Sequence, residues 1–139
     1  MTHPFDSRLE HRALGSAAIT ATAVLDTITQ RAASRTAYRT LVTIESCKIS
    51  ANDELYQVVC ELSDDDFSTV AAAVAVADFG ATEVRQSGAP DTAVGDTAEI
   101  MWSTEYNGAK YQYARLRLIA AGTSPSIGLG CFSSVLGNV

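Results

Sequence analysis

The chain has 139 residues, 47% hydrophobic and 19% charged, with 10 Lys+Arg against 16 Asp+Glu and a formal net charge of -6. That length suits one domain able to bury roughly two thirds of its unfolded surface, and the acidic balance lacks the basic stripe that nucleic acid or an anionic membrane surface would need. No apolar run approaches the ~18–20 residues that span a bilayer, and the first ten residues mix both charge signs without an apolar signal core, so a soluble protein with no nucleic-acid or membrane partner and no secretory signal is expected.

Residues 1–35 are rich in Ala, Thr, Ser and Arg without a sustained period. Around Ala17–Leu25 small β-tolerant residues dominate and large anchors are few. Such a segment reads as an extended N-terminal arm that orders on a partner, set apart from a domain over residues 36–139. Fully extended, its roughly 30 residues reach about 90–100 Å. Ile19, Val24, Leu25 and Ile28 are its candidate partner-binding anchors. The competing reading is an edge strand of the domain itself. His3 and His11, the only histidines, both fall here, so chemistry that needs a histidine cluster is not expected.

From Thr36 the pattern becomes that of strands. Tyr38, Thr40, Val42 and Ile44 alternate on one face, and Tyr56, Val58, Cys60 and Leu62 repeat the scheme. The intervening Ser50–Glu54 is turn chemistry, which predicts that these two strands form an antiparallel pair. Asp64, Asp65 and Asp66 form the one acidic cluster. It lacks the spacing of a calcium loop and reads as a solvated turn, with Phe67 pinning it to the core. Val70–Ala77 reads as a strand because Val70, Val74 and Val76 keep even spacing, although its alanines favour helix.

Asn107-Gly108, between alternating runs, predicts a two-residue hairpin turn in which both residues take positive φ. Folding there sets Glu105 opposite Lys110, an opposite-charge pair, and Trp102 opposite Tyr113. One face then carries Trp102, Tyr111, Tyr113, Arg115 and Arg117, residue types that dominate protein interfaces and are here candidate partner-binding residues. The same face also suits a ligand platform. The bland alternative puts Trp102 and Tyr113 in the core and the arginines at a rim. The chain closes with a strand from Ile127 to Val135 whose odd positions alternate. The fold class expected is all-β, an antiparallel β-sandwich, jelly-roll-like.

Cys47, Cys60 and Cys131 are widely spaced among apolar neighbours and read as inert core thiols rather than metal ligands. No Gly-x-Ser-x-Gly or phosphate-loop pattern occurs. Two carboxylates brought together by folding are the one hydrolytic arrangement that spacing leaves open. The chain is therefore expected not to be an enzyme, with no catalytic, metal-binding or cofactor-binding residues.

Three stretches carry a family resemblance: the small-residue arm Ala18–Ala23, the strand and turn Leu55–Phe67, and Tyr111–Leu118 leading through Ala121–Ser126 into the last strand. Together they resemble a tailed-phage capsid cement, or head decoration, protein. The resemblance implies a structural virion protein on the outside of the head, a β-sandwich that clamps neighbouring subunits of the major capsid protein. It brings no catalytic residues. A homo-oligomer, dimer or trimer, is expected at symmetry axes of such a shell, assembled in the host cytoplasm. The alternatives are a carbohydrate-binding β-sandwich whose Trp102 face stacks on sugar, a tail or baseplate component, and an uncatalogued enzyme.

Overall fold

Period-two alternation along most of the chain leaves one apolar face per segment, and two such faces closed on each other make the fold. The computed structural model describes residues 9–138, with side chains described to residue 136. Nine strands follow in order: β1 (Glu10–Arg12), β2 (Ala23–Ser34), β3 (Thr36–Cys47), β4 (Leu55–Ser63), β5 (Ala72–Gly80), β6 (Thr97–Ser103), β7 (Glu105–Tyr106), β8 (Ala109–Ala121) and β9 (Ile127–Asn138). The first sheet has the order β1-β9-β3-β6 and the second β2-β8-β4-β5, with β7 beside β8. All pairings are antiparallel. The pairs β1–β9, β2–β8, β3–β6 and β4–β5 nest inside one another, as if one long hairpin had been folded over into two layers.

The expected β-sandwich is therefore present, and the alternation read from sequence selects its core. Tyr38, Val42 and Ile44 on β3 and Leu129 and Cys131 on β9 meet Tyr56, Val58, Cys60 and Leu62 on β4 and Ala114, Leu116 and Leu118 on β8. The stretch around Val70–Ala77 is a strand, displaced slightly toward Gly80. Cys60 and Cys131 are buried and Cys47 half-buried. Burial pushes the first two thiols up to about 12 and Cys47 up to about 11, which keeps all three protonated and unreactive near neutral pH.

Three expectations are corrected. First, β3 and β4 do not pair; they lie in opposite sheets. Each turns its alternating apolar set into the core, and the Ser50–Glu54 connection carries the chain across the sandwich rather than back alongside. Glu54, buried at this crossing, accepts hydrogen bonds from Lys48 Nζ at 2.7 Å and from the Ala51 N–H at 3.1 Å.

Second, the described part of the N-terminal segment does not stand apart as an arm. β1 pairs with β9, β2 pairs with β8, and the Ile19 N–H donates to the Ile127 carbonyl at 2.7 Å. Residues 10–34 thus supply an edge strand to each sheet. Backbone pairing does not require the large side chains this segment lacks, because every residue but proline brings a donor and an acceptor. Residues 1–8, including His3, lie outside the described residues.

Third, the Asn107-Gly108 turn forms with φ of 51° and 78°, and Glu105 faces Lys110, but the ladder ends there. At Thr104 the chain passes between sheets: its hydroxyl donates to the Ser34 carbonyl at 2.6 Å and accepts the Thr36 N–H at 2.8 Å. Trp102 therefore sits opposite Tyr38 on β3, and Tyr113 sits opposite Ser63 and Thr29.

Candidate functional site

With Ala114, Leu116 and Leu118 turned into the core, Tyr113, Arg115 and Arg117 of β8 must point away from it. The register then lays out two rows across the outer face of the second sheet. One runs Val24, Arg117, Val59, Val76; the other runs Thr27, Arg115, Glu61, Ala73. Four of the residues singled out from sequence, Val24, Tyr113, Arg115 and Arg117, are thereby brought together. Val24 and Val76 are 48% and 53% exposed at opposite ends of their row.

At the centre stands Glu61, buried although it lies on an outer face. Arg115 Nε donates to its Oε1 at 2.7 Å, and Arg117 Nη1 lies 3.6 Å from Oε2. The Phe67 ring stacks on the Arg115 guanidinium, 4.3 Å from ring centroid to Cζ. Phe67 pins its turn to this outer face and not, as expected, to the core. The turn is built around Ser63, whose buried hydroxyl lies 2.7 Å from Asp65 Oδ1 and accepts the Phe67 N–H at 3.0 Å. Asp65 also accepts the Thr69 hydroxyl at 2.7 Å and the Thr69 N–H at 3.0 Å. Its carboxylate is engaged within the turn, and among the described residues no group of three or more His, Cys, Asp or Glu is placed to hold a metal ion. The result is a patch of two guanidiniums, two aromatic rings and flanking valines, with one carboxylate bridging the arginines.

The other residues singled out from sequence lie elsewhere. Ile19, Leu25, Ile28 and Tyr111 pack in part against the core and are not free anchors. Trp102 is in the core, its ring stacked on Tyr38 at 4.8 Å between centroids, and its Nε1–H donates to Thr40 Oγ1 at 2.9 Å. It offers no platform to a ligand.

Sequence reasoning missed His11. Its Nδ1 lies 2.8 Å from Asp26 Oδ2 and its Nε2 2.6 Å from Ser133 Oγ, which is in turn 2.6 Å from Thr40 Oγ1. With His11 Nδ1 as donor and Nε2 as acceptor, one directed chain is complete: Trp102 donates to Thr40, Thr40 to Ser133, Ser133 to His11, and His11 to Asp26. The Asp–His–Ser order is that of a hydrolase triad, but Ser133 is fully buried in the sandwich and its oxygen is held by Thr40, leaving no room for a carbonyl carbon to approach. The chain of bonds ties β1, β2, β9, β3 and β6 together instead. Residues 11, 26, 40, 102 and 133 share no sequence spacing that could have revealed it.

Several carboxyls are held below their ordinary range, so the fold is expected to lose stability in acid. The Thr69 hydroxyl, the Thr69 N–H and the Ser63 hydroxyl bring Asp65 down to about 2. Burial works to raise Glu54, but the Lys48 ammonium and the Ala51 N–H outweigh it and the net shift is downward. Asp53, Asp78 and Glu99 are lowered too. A depressed folded pKa means that the unfolded chain binds more protons, so stability is full above the unfolded carboxyl pKa of about 4 and falls as the pH drops toward about 2. Chemical denaturation between pH 7 and 2 is expected to show a plateau to about pH 5 and then a steady loss; a midpoint independent of pH over that window contradicts these contacts.

No protein-family profile, curated protein or solved structure matches this chain.

Proposed function

We propose that the chain is a structural virion protein that decorates the outside of a tailed-phage head and cements neighbouring subunits of the major capsid protein. The observation that carries this reading is the outer face of the second sheet, where Arg115, Arg117, Tyr113, Phe67, Val24 and Val76 form a prearranged patch on a rigid support. Arginine and aromatic groups held still before contact lose little entropy on docking. The nested strand order supports a jelly roll, an architecture common among viral capsid and lectin domains, though fold alone assigns no function. Net charge of -6 favours the side of a shell facing away from packaged nucleic acid. In this reading the protein is no enzyme, needs no cofactor, and acts as a dimer or trimer on the capsid exterior.

The reading differs from the sequence expectation in its docking element. The sandwich face takes the role first given to the arm, because the described N-terminal strands are committed to the two sheets. The carbohydrate alternative loses the Trp102 platform on which it rested.

The experiment is decoration of heads assembled without this protein, read by co-sedimentation and by cryo-EM. Wild-type chain is expected to bind outside the shell and raise the melting temperature of the heads. Arg115→Glu is expected to weaken binding about tenfold or more, equivalent to roughly 1.4 kcal/mol. Val24→Glu, at an exposed site, provides a second variant on the same face whose fold should be unaffected. Full occupancy by both variants, or density only on the tail, overturns the proposal.

A further inference from the structure

We propose that Asn107 is a site of spontaneous covalent modification, at which the Gly108 backbone nitrogen attacks the Asn107 side-chain amide and the turn is converted to aspartate and isoaspartate. Once its proton is lost to hydroxide, that nitrogen forms a bond to Asn107 Cγ. The amide nitrogen takes a proton from water and leaves as ammonia. Water then opens the resulting succinimide ring at one of its two carbonyls. Opening at Cγ gives aspartate in a normal peptide bond, and opening at the main-chain carbonyl gives isoaspartate, whose main chain runs through Cβ and Cγ. No electrons are transferred and water is the only co-reactant. One negative charge is added to a chain of net charge -6.

The hairpin tip leaves both reacting groups free. Asn107 and Gly108 are exposed. Gly108 has no Cβ to shield its nitrogen, and no atom beyond its chain neighbours lies within 4 Å of where a Cβ would stand. Among the described residues, neither the Asn107 side-chain amide nor the Gly108 N–H has a hydrogen-bond partner. The left-handed turn, with φ of 51° and 78°, is not the geometry of the ring, so the tip must open before the ring closes. Little resists that opening. β7 has two residues, Glu105 and Tyr106, which pair only with Lys110 and Ala109, and so short a two-stranded ladder is marginal in water.

Asn52 shares the left-handed backbone, with φ of 59°, but its surroundings hold it back. The nitrogen that would attack, that of Asp53, donates to Glu54 Oε1 at 3.3 Å, and the Asn52 N–H donates to the Ile49 carbonyl at 3.1 Å. Asp53 is itself tied to Thr123 through both carboxylate oxygens. The remaining asparagine, Asn138, precedes the β-branched Val139. The reaction is thereby directed to Asn107. Isoaspartate adds a methylene to the main chain of a turn whose two-residue length sets the hairpin register, so the Glu105–Lys110 pair should be lost. The sandwich should persist, because Thr104 fixes the crossing before β7 and neither four-strand path runs through β7. The modification follows from the turn itself and holds whatever the outer face binds.

Storage of the full chain at mildly alkaline pH, beside the same chain unfolded in guanidinium chloride, tests this by ion-exchange chromatography and peptide mass mapping. One new acidic species is expected, with NH2 replaced by OH only in the peptide that carries Asn107. Part of it should accept a methyl group from S-adenosylmethionine in the presence of an isoaspartyl methyltransferase. Its rate of formation should rise with hydroxide concentration and lie within about tenfold of the rate in the unfolded chain. Asn107→Gln, whose longer side chain closes a six-membered ring far more slowly, should yield no such species. A folded chain that stays unmodified while the unfolded one converts overturns the proposal. Modification at Asn52 before Asn107, or an acidic species that forms equally fast in Asn107→Gln, does so as well.

Discussion

A Gly80→Ala variant is expected to lose about 3–5 kcal/mol of folding stability and to melt about 10–20 °C below the wild type. Gly80 ends β5 with φ of +121°, a backbone conformation that L side chains rarely adopt. A Cβ there would lie 2.2 Å from the Glu54 carbonyl oxygen and 3.2 Å from Leu55 Cα, both backbone atoms. Neither can swing away. The same Glu54 carbonyl accepts the Ala81 N–H at 2.9 Å, and the Gly80 N–H donates to Thr92 Oγ1 at 2.9 Å, so the backbone is held from both sides. The strain and the clash add. Gly88 is the matched control: its φ is +74°, but nothing lies within 4 Å of a Cβ, and alanine there should cost only about 1 kcal/mol. Denaturant midpoints of the two variants side by side check the argument. Equal losses would mean that β4 and β5 do not approach as closely as described.

Trp102→Ala is expected to cost about 3–5 kcal/mol, the range for emptying a buried aromatic site. The indole stacks on Tyr38 and is the first donor in the chain of hydrogen bonds that runs through Thr40, Ser133 and His11 to Asp26. Trp102→Phe retains a ring against Tyr38 and removes only that donor, so its cost should be smaller, about 1–2 kcal/mol beyond the change in volume. An exposed interface tryptophan would behave in the opposite way, with binding lost and stability retained. Urea denaturation followed by circular dichroism separates the two, because the variants lack the chain's only tryptophan. If Trp102→Ala were as stable as the wild type, the core assignment would fail.

Partner choice was less legible in the sequence than strand character. Nothing in the sequence singled out Glu61, yet it holds Arg115 and Arg117 in place, and the Phe67 ring lies on the first of them from a turn expected to pack on the core. Val76 drew notice only as part of an ambiguous alanine-rich run, although it completes the Val24–Arg117–Val59 row. These contacts join residues far apart in the chain, and no local period reports them. The same holds for His11 and Ser133, which meet across 122 positions.

By itself the sequence determined the all-β class, the inward sets on β3, β4 and β9, and the Asn107-Gly108 turn, but left open which face of β8 turns inward. Each depends on properties that act over a few residues: alternation of side chains along a strand, and the tolerance of Asn and Gly for positive φ. Only the tertiary structure decided which strands pair. β3 and β4 follow each other yet lie in opposite sheets, the anchor-poor segment at residues 23–34 is a paired strand, and Trp102 and Arg115 belong to different layers. Backbone hydrogen bonding is nearly blind to side-chain identity, so partner and register follow from how all the apolar faces close together, a property of the whole chain that no single segment encodes.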